Sequence, residues 1–326
     1  MTTYKEIKGV TVQTFDSDPV VNAGSWSSGG TMNTARSDLA GLGIRTSAMA
    51  IGGYASPGTQ SAVENYDGSS WSEIAELNTA RNSLAGFGAT NTASIACGGR
   101  SPTVNSTELW NGSSWTEVNN LNTARFAFNI SGAGTSTSGL VSGGNGGQDT
   151  VEVWDGTNWT AAGAELNQVR SQGSASGQSS SSAVAVGGYG TASLATTEQW
   201  NGSSWTEVAD LNLARYSLAA SGDVNTILVN GGEGDSGGQR TVTESFDGTS
   251  WTEVADLSTA RKDHGSTGYS SSNTAALSFA GKAPPTSFKA SSEEWAVPPP
   301  TSNFLTEGSI FLSGGTALKG FGKAAG

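Results

Sequence analysis

The chain has 326 residues and a net charge of −12 with a sequence pI near 4.5, so it lacks the basic stripe that nucleic acid or an anionic membrane surface requires. One cysteine, Cys97, rules out an intrachain disulfide framework and a cysteine-built zinc cluster. Hydrophobic residues make up only 35%, but 46 glycines and 10 tryptophans are the composition of a tight all-β protein rather than of a disordered one.

In chain order, residues 1–23 form an N-terminal extension. Its start, MTTYKEIKG, is too polar for a secretory signal. No later apolar run approaches the roughly 20 residues that span a bilayer. A protein without a signal peptide and without membrane insertion is expected. From residue 24 the chain repeats itself. The tryptophans Trp26, Trp71, Trp115, Trp159, Trp205 and Trp251 recur every 44 to 46 residues, and the arginines Arg36, Arg81, Arg125, Arg170, Arg215 and Arg261 keep the same step. A period of this length argues for one large repeat body, residues 24–297, rather than two domains.

Each repeat reads as four short strands separated by turn residues. In the second unit these are Asn82 to Gly88, Thr92 to Gly99, Ser106 to Trp110 and Trp115 to Val118. Asp67-Gly68, Asn111-Gly112, Asp155-Gly156, Asn201-Gly202 and Asp247-Gly248 supply tight hairpin turns between third and fourth strands. Four antiparallel strands repeated about six times is the pattern of a β-propeller.

The glycine pairs Gly52-Gly53, Gly98-Gly99, Gly143-Gly144, Gly187-Gly188 and Gly231-Gly232, with Ala280-Gly281 as a worn copy, close each second strand. An acid and an aromatic follow, as Glu64/Tyr66, Glu108/Trp110, Glu152/Trp154, Glu198/Trp200, Glu244/Phe246 and Glu293/Trp295, and then the tryptophan of the fourth strand. In these residues the body resembles the kelch family. The resemblance implies an all-β, six-bladed propeller of four-stranded antiparallel blades. Trp26 opens a fourth strand before any first strand has appeared, and the last unit stops after its third strand at Pro298, so Ser25 to Gly30 is expected to close the last blade. Gly9 to Asp16 (GVTVQTFD) also imitates a third strand and competes with Ser291 to Val297 for that blade; the sequence leaves the choice open. The inner strands are rich in Gly, Ala and Ser, which suits close approach at the axis and offers no acids there.

Because successive strands alternate in direction, the second-to-third loops and the linkers between blades share one face. The linkers are nearly constant, whereas the loops differ in every unit, and variable loops on a rigid scaffold are where recognition sits. Tyr54, Arg100, Tyr189, Glu233, Arg240 and Phe288 are the candidate binding residues there, aromatics and arginines being favoured in recognition. Beyond the body, residues 298–326 form a Pro-rich linker and a hairpin turning at Gly314-Gly315. Between Gly9 and Arg261 there is no lysine, so the lysines read as belonging to the flanks. YKEIKG and the strand-turn-strand ending in LKGF resemble segments flanking kelch-like arrays in structural proteins of marine tailed phages, cyanophages above all.

Little in the sequence points to catalysis. His264 is the sole histidine, so a triad or a His-based metal site has one centre at most. Galactose oxidase shares the kelch propeller, but its copper site needs two histidines and a Cys–Tyr cross-link that cannot be assembled here. Cys97 takes a second-strand core position. The DGSSW turns differ from the sialidase Asp box, where the Asp stands five residues before the Trp; Asp67 stands four before Trp71. The repeated arginines share one face and read either as an anion-binding ring or as blade-to-blade packing paired with the repeated glutamates; periodicity favours packing. Trp71, Trp115, Trp159, Trp205 and Trp251 belong with them between blades. Asp149, Glu233 and Asp235 are a calcium candidate without EF-hand spacing. No metal and no cofactor is expected.

These features predict a non-enzymatic virion protein, a phage fiber, tip or decoration protein, that binds other virion proteins through its terminal extensions and a host surface protein or glycan through its loops, with homo-oligomerisation open. A lectin-like propeller is the alternative. A hydrolase or lyase is the third reading, and would need a non-repeating cluster of acids or His near the axis.

Overall fold

The computed structural model describes residues 24–298, apart from 101, 127–131, 146–147 and 286, together with the strands Ile310–Ser313 and Ala317–Gly320. The chain divides into two compact units, Ser25–Ala296 and a second made of Met1–Gly24 with Val297–Gly326. The first is an all-β, six-bladed propeller, each blade a four-stranded antiparallel sheet, with no helix among the described residues.

Blade 2 shows the pattern: Ala85–Thr90 innermost, then Ala93–Cys97, Thr107–Trp110 and Trp115–Val118 outermost. The fourth strand has the expected bounds, the second and third are slightly shorter than expected, and the first begins three residues later and runs two residues further. In the last blade Gly265–Ser266, Ala275–Phe279 and Ser292–Ala296 are followed in space by Ser25–Ser28, with Trp26 opposite Trp295. The ring therefore closes with its N-terminal strand, and Ser292–Ala296 supplies the third strand that the sequence left undecided. Gly9 to Asp16, the competing segment, lies outside the described residues. In the second unit Ile310–Ser313 pairs antiparallel with Ala317–Gly320, the hairpin expected beyond the prolines.

The local chemistry explains why each blade forms. At the outer turn Asp67 Oδ1 accepts from the amides of Ser69 and Ser70, both at 2.8 Å, and Asn111 Oδ1 does the same for Ser113 and Ser114 at 2.9 Å. Gly68 follows at φ +97°, a conformation that glycine adopts without steric cost. The turn brings the third-strand aromatic onto the fourth-strand tryptophan: the ring centroids of Tyr66/Trp71, Trp110/Trp115, Trp154/Trp159, Trp200/Trp205, Phe246/Trp251 and Trp295/Trp26 lie 5.0 to 5.5 Å apart. Such pairs contribute about 0.5–1.5 kcal/mol each beyond the area they bury. The fourth-strand tryptophans also reach the preceding blade, Trp115 Nε1 donating to Ala75 O and Trp159 Nε1 to Thr107 Oγ1. The hydrophobic clusters lie between blades, as where Met49 and Leu77 of blade 1 meet Trp110 and Trp115 of blade 2.

The repeated polar residues stitch neighbouring blades together. Each linker arginine reaches the third-strand glutamate of the blade it enters: Arg36–Glu64 at 2.5 Å, Arg81–Glu108 at 2.7 Å, Arg125–Glu152 at 2.8 Å, Arg170–Glu198 at 2.5 Å, Arg215–Glu244 at 3.1 Å and Arg261–Glu293 at 2.8 Å. All twelve side chains are buried. Each glutamate also accepts from a linker amide, as Glu152 does from Asn122 at 2.7 Å and Thr123 at 3.3 Å. The arginine carbonyl in turn accepts from the second glycine of the preceding blade, Gly99 N to Arg125 O at 2.9 Å for example, and Gly281 N to Arg36 O at 2.8 Å across the closure. One residue thus holds its own blade by its side chain and the previous blade by its backbone. The first glycine of each pair has to lie under that carbonyl: a Cβ on Gly98, at φ +63°, would sit 2.6 Å from Arg125 O. Among the six pairs Ala280 alone fills this first position with a side chain, at φ +64°.

Candidate functional site

The arginines do not form an anion-binding ring. Burial draws the guanidinium groups of Arg36, Arg81, Arg170, Arg215 and Arg261 below their usual pKa, and the partner glutamates oppose that shift. Trp71, Trp115, Trp159, Trp205 and Trp251 are likewise buried. These residues hold the blades and are buried away from the surface.

The linkers and the second-to-third loops do share a face. The residue after each arginine bridges the first residue of a loop: Ser37 to Tyr54, Asn82 to Arg100, Ser171 to Tyr189, Tyr216 to Glu233 and Lys262 to Lys282. One residue further on, the backbone turns left-handed at Asp38, Ser83, Gln172, Ser217 and Asp263, with φ between +52° and +55°. These five are joined head to tail around the axis, Ser83 N donating to Asp38 O at 2.7 Å, Asp38 N to Asp263 O at 2.9 Å, Asp263 N to Ser217 O at 3.2 Å and Ser217 N to Gln172 O at 2.7 Å. The equivalent position in blade 3 lies outside the described residues. Left-handed backbone at non-glycine residues costs about 1–2 kcal/mol each and persists where surrounding structure holds it. Beneath this collar the inner strands bond to one another, Ser176 Oγ of blade 4 donating to Gly222 O at 2.6 Å and to Gly268 O at 2.8 Å.

A depression of about 390 Å³ opens above the collar. Asp38 of blade 1 and Asp263 of blade 6 line it, with Lys282 Nζ at 3.0 Å from Asp38 Oδ2 and 3.4 Å from Asp263 Oδ2. Lys262 pairs with Glu233 beside them, and Tyr189 and Tyr216, edge to face with centroids 5.3 Å apart, also line the depression. Burial, and then Asp38, raise the pKa of Asp263 despite the lysines. Burial pulls the Lys282 ammonium down, but Asp38 and Asp263 together outweigh it and leave its pKa above the usual lysine value. Burial and the hydrogen bond to Glu233 push the Tyr216 hydroxyl up to about 12.

This corrects two expectations. The axis was expected to carry only small first-strand residues, yet Asp38 and Asp263 stand there, because the collar is made by the end of the linker rather than by the strand. The lysines were assigned to the flanks, yet Lys262 and Lys282 belong to the last blade and reach the axis. The second residue after each arginine is Asp38, Ser83, Ala127, Gln172, Ser217 or Asp263, but the residue before it varies as much, so nothing in the sequence singles this position out.

The six candidate loop residues divide. Tyr189 and Glu233 meet in the depression. Tyr54 packs on Phe288 with centroids 5.8 Å apart, joining the loops of the first and last blades. Arg100 lies 5.2 Å over the ring of Phe126, and Arg240 Nη2 donates to Ser236 Oγ at 3.3 Å. Asp149, Glu233 and Asp235 are not brought together: Glu233 is held by Lys262 and Asp235 by Ser193, and no group of three or more His, Cys, Asp or Glu suited to a metal occurs among the described residues. His264 is buried, with Nε2 2.9 Å from Asn230 Oδ1; burial and Arg261 hold its pKa well below the usual value, so it is neutral. Cys97 is a buried core residue whose thiol burial pushes up to about 12. In comparisons with known proteins, no family model matches the chain and no curated protein shows significant similarity to it.

Proposed function

We propose that the chain is a non-enzymatic recognition module of a virion, a fiber, tip or decoration protein of a tailed phage, in which the propeller is a rigid carrier and its linker-and-loop face binds the target. The observation that carries this reading is the division of polar chemistry. The repeated Arg and Glu residues are spent on six buried stitches, while unrepeated charged and aromatic residues gather on one face. Recognition on variable loops over a fixed scaffold follows from that division. The virion setting draws on the resemblance of the terminal segments to phage structural proteins. The extensions at 1–23 and 301–326 attach the ring to other virion proteins or to another copy of the chain, with Lys5, Lys8, Lys319 and Lys323 facing an acidic partner. Lys319 lies on the strand Ala317–Gly320, whereas Lys5, Lys8, Lys323 and most of both extensions lie outside the described residues.

Binding of the labelled full-length chain to cyanobacterial host cells tests the recognition face. Substitutions Tyr54→Ala and Arg240→Ala on the loop face are expected to weaken cell binding, and Asp247→Asn on the opposite turns to leave it unchanged. Loss of binding from the turn substitution alone would defeat the reading. Removal of residues 301–326 is expected to leave a folded chain that no longer enters particles, and normal incorporation would defeat the attachment role.

One observation favours a second reading, a glycan-active hydrolase. Asp38 and Asp263 form the unrepeated axial pair of acids that such an enzyme needs, and the raised pKa of Asp263 is what a general acid requires. Against it, Lys282 bridges both carboxylates. Release of reducing ends from glycans by the intact chain, abolished by Asp263→Asn, would favour the enzyme over the binding module.

A further inference from the structure

We propose that the axial depression binds the uncharged terminus of a saccharide, one or two sugar units deep. This rests on the recognition reading above and names its ligand.

Three features of the depression select this class. Its volume, about 390 Å³, falls at the small end of the roughly 300–1,000 Å³ typical of ligand sites, too small for a folded partner's surface feature of any size. Its charges are already matched internally, Lys282 to Asp38 and Asp263, Lys262 to Glu233, so no strong unpaired charge calls for an ionic ligand. With three carboxylates to two ammonium groups on the lining and −12 on the whole chain, the local field disfavours sialylated, sulfated or phosphorylated ligands.

What remains available is suited to a neutral sugar. Tyr189 is 38% exposed and, with Val169 at 40%, is one of the two large hydrophobic residues left in solvent among the described residues. Its ring offers a flat apolar surface to the C–H face of a pyranose, and Tyr216 supports it edge-on. Paired carboxylates and ammonium groups are rigid acceptors and donors for vicinal hydroxyls, because each is held by its partner before the ligand arrives. Lys282 and Ser37 both bond Asp38 Oδ2, while Asp38 Oδ1 is buried with no hydrogen-bond partner among the described residues. The collar positions Asp38, Gln172, Ser217 and Asp263 line the same space, so the unrepeated side chains of four blades converge on it.

The test is a printed array of neutral, sialylated and sulfated glycans probed with the full-length chain, followed by titration of the strongest neutral glycan. Saturable binding to neutral glycans is expected. Tyr189→Ala is expected to weaken it at least tenfold without changing the melting temperature, and Tyr189→Phe to retain it, since the ring and not the hydroxyl makes the platform. Absence of any saturable neutral signal, preference for sialylated or sulfated glycans, or full binding by Tyr189→Ala would each overturn the proposal. Host-cell binding separates the two levels. If cell binding is lost on Tyr54→Ala and Arg240→Ala but no neutral glycan competes for it, the saccharide proposal falls and the recognition face stands. If those substitutions leave cell binding intact, the recognition face falls as well.

Discussion

The same chemistry, a cation beside a carboxylate, is used in two parts of this molecule with opposite consequences. The linker stitch recurs six times with nearly the same contacts and is buried throughout, from Arg36–Glu64 to Arg261–Glu293. The axial cluster of Lys282, Asp38 and Asp263 occurs once, at a mouth open to solvent. Repetition marks what every blade needs in order to hold its neighbour. An ion pair that breaks the repeat marks a place where the blades have diverged, and here that place adjoins exposed aromatic surface.

The largest effect expected from breaking this contrast is at the stitch. Removing one partner of a buried pair typically costs about 3–5 kcal/mol. Glu152→Leu should cost more than Arg125→Met, because leucine leaves the amides of Asn122 and Thr123 without an acceptor, whereas methionine frees acceptors, Gly143 O and Thr150 O, and Thr150 O keeps the amide of Gly143. Urea unfolding of the two variants checks the order. Equal losses would mean that the amide contacts carry no weight.

A smaller effect is expected at the axis. Lys282→Met leaves two nearly buried carboxylates together, a loss of about 1–3 kcal/mol at neutral pH. The sign of its pH dependence follows from the shifts. The Lys282 pKa is raised in the folded chain, so its contribution is present below the usual value of 10.5 and lost as pH rises through the folded value. The Asp263 pKa is raised too, so the variant regains stability as pH falls and the acid takes up a proton. The difference in melting temperature between parent and variant should therefore be largest near neutrality and shrink towards both acid and strong alkali. A difference independent of pH would contradict the assignment.

The smallest effect belongs to the outer turns. Asp67 accepts the amides of Ser70 and Ser69 and the Ser69 hydroxyl, which hold its pKa down at about 2. A lowered acid contributes stability above its usual value of 3.8 that is lost as pH falls through about 2. Asn111 makes the same turn without a charge. Asp67→Asn should thus have the smallest effect of the three at neutral pH, since asparagine makes the same turn elsewhere, and should remove this turn's share of the acid-induced loss. Unfolding midpoints at neutral pH and at about pH 3, between the two pKa values, measure it.

Much of the fold was legible because periodicity compares the chain with itself. Glu108, Trp110, Asn111-Gly112, Trp115 and Arg125 each recur at the blade period, and a residue required at every seam repeats at every seam. Strand order, blade number and closure by Ser25–Ser28 followed from that. The binding face was legible in part: strand parity placed Tyr189 and Glu233 on it, but equally placed Tyr54, Arg100, Phe288 and Arg240, which the structure puts at other points of the face. The axial site was not legible. Asp38 and Asp263 are 225 residues apart in the chain and adjacent in the ring, and Lys282 reads as one more residue of a variable loop.

The sequence by itself determined that the chain is a ring of six equivalent blades, because equivalence is a statement about spacing. Only the tertiary structure decided which unequal residues meet at the axis. Bringing the ends of five described linkers together around the axis joins positions with no relation along the chain, and the left-handed backbone that points them there leaves no mark in composition or period.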